Sequence, residues 1–243
     1  MIDLHCHILP GIDDGAVGLA DSVGMARQGV ADGIEAICAT PHIRHDHDVR
    51  IEELAGRVAV VNARLAEEDV PLVVLQGGEV AETAVEALDG DELARVTLGA
   101  GSWVLLEPAP GPLGESLERR VEDLAERGHR ALIAHPERHL SADMFERLAR
   151  LVDRGDLIQM TADYLLREQM AAGMLAMAAV GLVHVLSSDS HSSTHGRPVA
   201  LSPALDRLAG VEILRPHLEW IAEEAPHAIV EGAELEVPYP VAI

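Results

Sequence analysis

The sequence predicts an α/β fold: one domain over residues 1–243, closed or nearly closed into a barrel of seven β–α units. Three observations carry this expectation. Short apolar runs alternate with longer amphipathic stretches, the pattern of parallel strands joined by helices. No linker, low-complexity segment or change of composition divides the chain, whose 243 residues are an ordinary length for one α/β barrel. Six of the seven apolar runs deliver a His, Asp or Glu at the same end, where parallel barrels carry their sites.

The elements follow in order. The first strand, near 2–6, ends in His5-Cys6-His7. Alternate side chains of a strand share a face, so the two imidazoles point together and Cys6 points away. Pro10-Gly11 and Asp13-Asp14-Gly15 make a tight loop that closes over this pair and leads into a helix near 18–32. The second strand, near 34–39, runs out at Thr40-Pro41-His42; proline ends strand pairing and aims His42 at the mouth. A helix near 51–68 follows. The third strand, near 72–77, meets Gly77-Gly78-Glu79, where backbone without side chains can come close to a site and present one carboxylate. A helix near 82–94 leads to the fourth strand, near 102–107, with Glu107 at its end. Helices near 114–127 and 143–154 flank the fifth strand, near 130–135, which ends at His135. The sixth strand, near 156–160, brings no such residue. A helix near 163–180 precedes the seventh, near 182–188, which ends in Asp189 and His191, again two residues apart. Helices near 200–209 and 214–224 complete the pattern, Gly29, Gly33, Gly128 and Gly155 punctuate helix ends, and the stretch after Pro226 is expected to be a surface extension.

Composition narrows the function. The formal net charge is −23, and all 18 basic residues are Arg. A chain without Lys has neither a P-loop Lys nor a Schiff-base Lys. An acidic chain lacks the basic patch that nucleic acid or an anionic membrane requires. The longest apolar run, Met174–Leu186, spans 13 residues and contains His184, too short to cross a bilayer. No charged segment followed by an apolar one precedes Met1-Ile2-Asp3-Leu4, and Cys6 and Cys38 form no disulfide framework. A cytoplasmic protein with reduced thiols and no membrane insertion is expected.

Imidazole and carboxylate at six strand ends are the donor set of zinc, manganese, iron or cobalt. His5, His7, Asp14, His42, Glu79, Glu107, His135, Asp189 and His191 are too many ligands for one ion and fit two or three, with Glu79 bridging. Paired ions clamp an oxyanion and activate water. Arg138 and Arg197 are read as the basic residues beside the ligand clusters, able to grip phosphate in two-point fashion. Together these residues predict a metal-dependent phosphoesterase. A decoy stands beside them: Cys38 and Arg44 match C-x5-R, the signature of thiol phosphatases. The intervening loop contains Pro41, lacks Gly and holds a proposed metal ligand, and nothing nearby would lower the thiol pKa. The loop His45-Asp46-His47-Asp48 reads as a solvated tip.

Taken together, the motifs resemble the PHP (polymerase and histidinol phosphatase) superfamily, and within it the CpsB/YwqE-type metal-dependent protein-tyrosine phosphatases. The carriers are the opening Met-Ile-Asp-Leu-His-Cys-His-Ile-Leu-Pro-Gly-Ile-Asp-Asp-Gly, then Thr-Pro-His at 40–42, Ala-His-Pro-Glu-Arg at 134–138 and Ser-Asp-Ser-His at 188–191. The resemblance covers nearly the whole chain. It implies a distorted (β/α)7 barrel with three divalent ions, manganese being the usual activator. His5, His7, Glu79 and Asp189 would hold one ion, Glu79, Glu107 and His135 a second, and Asp14, His42 and His191 a third. Arg138 and Arg197 would bind substrate phosphate, with His42 counted among the catalytic residues. The implied substrate is a phosphotyrosine protein, such as a bacterial tyrosine kinase controlling capsule or exopolysaccharide export. The sequence departs at Ile43, where many members carry a second His, which bears on substrate preference. A small-molecule phosphatase of the histidinol-phosphatase type would use the same cluster. A non-catalytic metal-binding regulatory domain is the alternative of another class. The oligomeric state is open.

Overall fold

The structure, a computed structural model, describes residues 1–139 and 141–243. Its strands are β1 (Ile2–Cys6), β2 (Ala36–Ala39), β3 (His42–Ile43), β4 (Val73–Gln76), β5 (Glu79–Ala81), β6 (Trp103–Glu107), β7 (Arg130–Ile133), β8 (Leu157–Thr161) and β9 (Val185–Ser187). All pair in parallel, in the orders β1-β2-β4 and β3-β5-β6-β7-β8-β9. Seven of these strands fall on the seven predicted segments, while β3 and β5 lie beyond the expected ends of the second and third, each continuing its segment after a break. The second breaks at Thr40-Pro41, since proline has no N–H to give the ladder. The third breaks at Gly77-Gly78, where a Cβ on Gly78 would lie 2.9 Å from Ile43 Cγ1. Past each break the strand end bends over the barrel mouth, and Glu79 N–H donates to the Pro41 carbonyl at 3.0 Å. Backbone bonds from Asp189 N–H to His5 O (2.8 Å) and from His7 N–H to Ser190 O (2.9 Å) join the last strand to the first. The result is the expected distorted barrel.

Side chains of alternating strand positions sort into two cores. Ile2, Leu4, Cys38, Trp103, Leu105, Leu132, Ala134, Leu157 and Val185 fill the barrel interior. Their neighbours Ile37, Val104, Leu106, Ile133, Ile158 and Leu186 face the helices. The first strand breaks this alternation. Between Asp3 and Cys6 it has one residue more than β2, a bulge. Ile2 and Leu4 point inward below the bulge, and His5 and His7 share the inner face above it, while Cys6 joins the outer core.

The connecting helices are α1 (Leu19–Ala31), α2 (Leu54–Glu67), α3 (Gly90–Val96), α4 (Glu115–Glu126), α5 (Met144–Asp153), α6 (Glu168–Ala179), α7 (Ser202–Leu208) and α8 (Ala225–Glu231). Gly33, Gly128 and Gly155 end helices in the left-handed conformation as expected (φ +85°, +83° and +95°). Gly29 does not; it lies inside α1, where a Cβ would sit 3.3 Å from Leu72 and Val199. The helix expected at 82–94 begins late. Asp89 accepts from Glu92 N–H, and Glu92 in turn accepts from Asp89 N–H, a reciprocal cap that starts α3 afresh. No helix among the described residues is long and apolar enough to cross a membrane.

The stretch after Pro226 is a surface extension only in part: residues 231–243 are mostly exposed, but α8 and Tyr239 are anchored in the core. In α8, Ile229 and Val230 are buried against the interior core and plug the lower end of the barrel. The backbones approach so closely that a Cβ on Gly101 would lie 2.0 Å from the Ile229 carbonyl oxygen. Farther on, Tyr239 is buried, its hydroxyl donates to Val183 O, and its ring stacks on His184 at 5.9 Å. The acidic neighbours Glu231, Glu234 and Glu236 mask these few apolar anchors in the sequence.

His184 gives this closure a pH dependence. Its Nδ1 accepts from Ile158 N–H, and burial alone pushes its pKa down to about 3. Above the unfolded-state value of about 6.5 both states are neutral and nothing is lost. Below it the unfolded chain takes up a proton that the folded one refuses, so stability falls with pH until about 3. The slope from this group approaches about 1.4 kcal/mol per pH unit. His184→Asn keeps an acceptor for Ile158 N–H, and it should flatten the acid limb of a denaturation series by that amount. Parallel limbs for the two proteins would refute the role.

Candidate metal centre

The barrel mouth gathers every ligand that the sequence proposes. Among the described residues, four overlapping groups bring their donor atoms within 4.8 Å of one another: His5, His7 and Glu79; His5, His135 and Asp189; His42, Glu79 and Glu107; and His7, Asp14, His42 and His191. His135 thus lies with His5 and Asp189, and Glu107 with His42, both groups meeting at Glu79 through short contacts. His135 and Asp189 hold left-handed backbone (φ +31° and +49°), two of the three non-glycine residues that do so among those described. Such conformations are costly and concentrate at functional sites.

The distances suit ions. His5 Nε2 and His7 Nε2 face each other at 3.2 Å. Glu79 lies 3.4 Å from each, and Asp189 Oδ1 lies 3.6 and 3.7 Å away. Four donors about 2.1 Å from a tetrahedral ion stand about 3.4 Å apart. Asp14 Oδ1 repeats the spacing, 3.4 Å from both His42 Nε2 and His191 Nε2. His42 Nδ1 and Glu79 Oε2 come within 2.8 Å, yet both are buried without the alignment of a hydrogen bond. Buried polar atoms without a hydrogen bond call for a further partner.

Second partners aim the imidazoles. His7 Nδ1 is held by Asp13 Oδ2 at 2.8 Å, and His5 Nδ1 by Gln159 Oε1 at 3.2 Å, so each Nε2 is turned into the site. Asp13 also accepts from His42 N–H, and Gln159 from His135 N–H. Burial is the largest influence on His7 and pushes its pKa down, but Asp13 and Glu79 outweigh it and hold it at about 10. Burial lowers His135 to about 4, with Glu79 resisting; burial and His7 lower His191 to about 4. Glu79 ionises well below the usual range, because His5, His135 and His42 overcome its burial. A metal ion bound at His7 would therefore displace a proton from it. Titration calorimetry with manganese at pH 7.5, in buffers of differing ionisation enthalpy, should show at least about one proton released per chain. A binding heat independent of buffer would contradict this.

Above these clustered side chains lies a cleft of about 370 Å³, lined by Asp14, His42, Glu79, Glu107, Arg138, Asp189, His191 and Arg197. Arg138 and Arg197 both reach Asp189, Arg197 at 2.9 Å. A third guanidinium corrects the sequence expectation: Arg44 also lines the cleft, 3.4 Å from Glu107. The loop beyond it is less detached than expected, since His47 stacks on His42 at 5.1 Å and lies 3.3 Å from Arg44 Nη2. Cys38 is fully buried in the barrel interior and burial raises its pKa, so the C-x5-R pair is broken in space.

Known proteins resemble this chain along most of its length. The tyrosine-protein phosphatase YwqE of Bacillus subtilis is 37% identical over 199 residues, covering 79% of this chain and 78% of that one. The tyrosine-protein phosphatase CpsB of Streptococcus pneumoniae is 26% identical over 221 residues, 86% of this chain and 90% of its own. A solved structure from work describing YwqE of Bacillus subtilis and CpsB of Streptococcus pneumoniae as unique metal-dependent tyrosine phosphatases superposes on this chain with a TM-score of 0.83 at 29% identity, covering 100% of both chains. A lactonase from Listeria monocytogenes shares the barrel alone, with a TM-score of 0.59 at 11% identity and coverage of 96% of this chain and 95% of that one. The family described as capsular polysaccharide synthesis, CpsB/CapC, matches residues 1–210, and the chain belongs to that family.

Proposed function

We propose that this chain is a metal-dependent protein-tyrosine phosphatase, acting as one unit over residues 1–243. The observation that carries this reading is the convergence of nine His, Asp and Glu donors at metal spacing beneath an arginine-lined cleft. Bound divalent ions, manganese foremost and iron, zinc or cobalt as alternatives, would bring charge to the phosphoryl oxygens and activate the attacking water. His5, His7, Glu79 and Asp189 would hold one ion, Glu79 with Glu107 and His135 a second, and Asp14, His42 and His191 a third. Arg138 and Arg197 would grip the phosphoryl oxygens, and Asp13 and Gln159 would keep His7 and His5 in the correct tautomers. Both thiols are buried and, among the described residues, no serine lines the cleft, which supports hydrolysis without a phosphoenzyme. Tyrosine leaves as a phenolate with a pKa of about 10, so a strong general acid is not required. The names of the relatives support a phosphotyrosine protein as the substrate and capsule synthesis as the setting, and a bacterial tyrosine kinase in the cytoplasm is the substrate proposed.

The test is phosphate release by manganese-loaded protein from a phosphotyrosine peptide and from histidinol phosphate, with a chelator control and a Cys38→Ser variant. Chelator-sensitive, Cys38-independent turnover of the peptide is expected. Preference for histidinol phosphate would transfer the same centre to small-molecule metabolism. Activity that survives chelation and dies with Cys38 would overturn the metal reading.

A further inference from the structure

Of the seven strand segments, β8 alone brings no proposed metal ligand, yet the turn that follows it returns to the cleft. That turn, Ala162–Leu166, carries Tyr164, one of five aromatic residues in the chain. Three guanidinium groups surround its ring: Arg138 at 5.4 Å from the centroid, Arg167 at 5.2 Å and Arg197 at 5.7 Å. Arg197 Nη1 also donates to the Tyr164 hydroxyl at 3.4 Å. Arg167 has its own partner in Asp163 and is half exposed. Arg138 and Arg197 are two of the three arginines that line the cleft, and they share one carboxylate, Asp189.

Two like charges held side by side need a negative partner. Asp189 supplies it here, but Asp189 is also a proposed metal ligand, and a carboxylate bound to a cation has less charge to offer an arginine. The negative face of the Tyr164 ring has no such competing task. We infer that Tyr164 is a positioning residue: its ring holds Arg138 and Arg197 together over the metal centre, so that an incoming phosphoryl group meets a pre-formed two-arginine clamp. This rests on the phosphatase reading for its substrate, but the geometry concerns any tetrahedral oxyanion.

The experiment compares Tyr164→Leu and Tyr164→Phe with the parent, all manganese-loaded and checked for metal content. Inorganic phosphate affinity is measured by calorimetry, and KM and kcat with a phosphotyrosine peptide. Tyr164→Leu should weaken phosphate binding and raise KM by about tenfold each, with metal content unchanged and kcat nearly so. Tyr164→Phe keeps the ring and should stay within about threefold of the parent. In an Arg138→Ala background the Tyr164→Leu effect should shrink, because one of the two groups it positions is gone. Unchanged phosphate affinity in Tyr164→Leu would overturn the inference, as would equal damage from Tyr164→Phe or loss of metal from either variant. Should the parent fail to hydrolyse the peptide, the phosphatase reading falls by itself. The phosphate affinities then decide the role of Tyr164: a drop in Tyr164→Leu sustains it and none removes it.

Discussion

Glu79→Gln should abolish turnover and cost the protein at least one metal equivalent while leaving the fold intact. Glu79 is the hub of the centre. Its Oε1 lies 2.8 Å from His135 and 3.4 Å from His5, and its Oε2 lies 2.8 Å from His42 and 3.4 Å from His7. One carboxylate thus touches donors from every proposed ion site, and it is buried to 1% exposure. Glutamine has the same shape but offers one neutral acceptor and one donor. The amide N–H would point at imidazole nitrogens or at a cation, and no rotation avoids both. A loss of at least about a thousandfold in kcat is expected, equivalent to about 4 kcal/mol of transition-state stabilisation. Metal analysis of the dialysed variant beside its kinetics decides the matter. Retention of full metal content with unimpaired kcat would remove Glu79 from the bridging position. Circular dichroism guards against the trivial outcome, since the strand residues around Glu79 keep their apolar partners on both faces.

The parts of this molecule legible in its sequence are those with a local signature. Short continuous apolar runs mark the strands, as expected of parallel strands buried on both faces, and a polar residue where a run stops marks the mouth, so His5, His7, His42, Glu107, His135 and Asp189 declare themselves by position alone. Asp14 and Glu79 declare themselves through the tight glycine turns beside them. What escaped depends on contacts distant in the chain. Gln159 looks like an ordinary strand residue until the barrel closes and sets it between His5 and the His135 backbone, 154 residues from the former. Asp13 is indistinguishable from Asp14 in a turn, yet one is buried behind His7 and the other is exposed to the cleft. Arg44 hid in plain view because C-x5-R suggested a different chemistry. The β1 bulge left no mark either: His-x-His on a regular strand and on a bulged one read alike, and only pairing with β2 reveals the extra residue. The C-terminal plug was hidden for an energetic reason. Three or four buried apolar side chains suffice to anchor it, too few to set up a period amid glutamates.

Arg138→Ala should reduce kcat/KM for a phosphotyrosine peptide by about ten- to a hundredfold, mostly through KM, with metal content unchanged. The side chain stands on the turn after β7, where the left-handed His135 sends the next residues across the mouth. It is about one-third exposed and ends at Asp189, so it borders the proposed ligands without being one of them. A guanidinium there forms charged hydrogen bonds to the phosphoryl oxygens in both the bound substrate and the transition state. Uniform binding of this kind appears in KM. The alanine variant keeps Asp189 paired, since Arg197 remains 2.9 Å from its other oxygen, and the metal ligands therefore stay in place. Arg138→Lys should recover only part of the loss, because an ammonium cannot reproduce the planar two-point contact. The size of the recovery separates charge from geometry. Full rescue by lysine would mean that the site reads only charge at this position, and an unchanged KM and kcat in the alanine variant would take Arg138 out of the phosphate clamp. A fall in kcat alone, at constant KM, would shift its contribution to the transition state and leave Arg44 and Arg197 as the groups that first capture the anion.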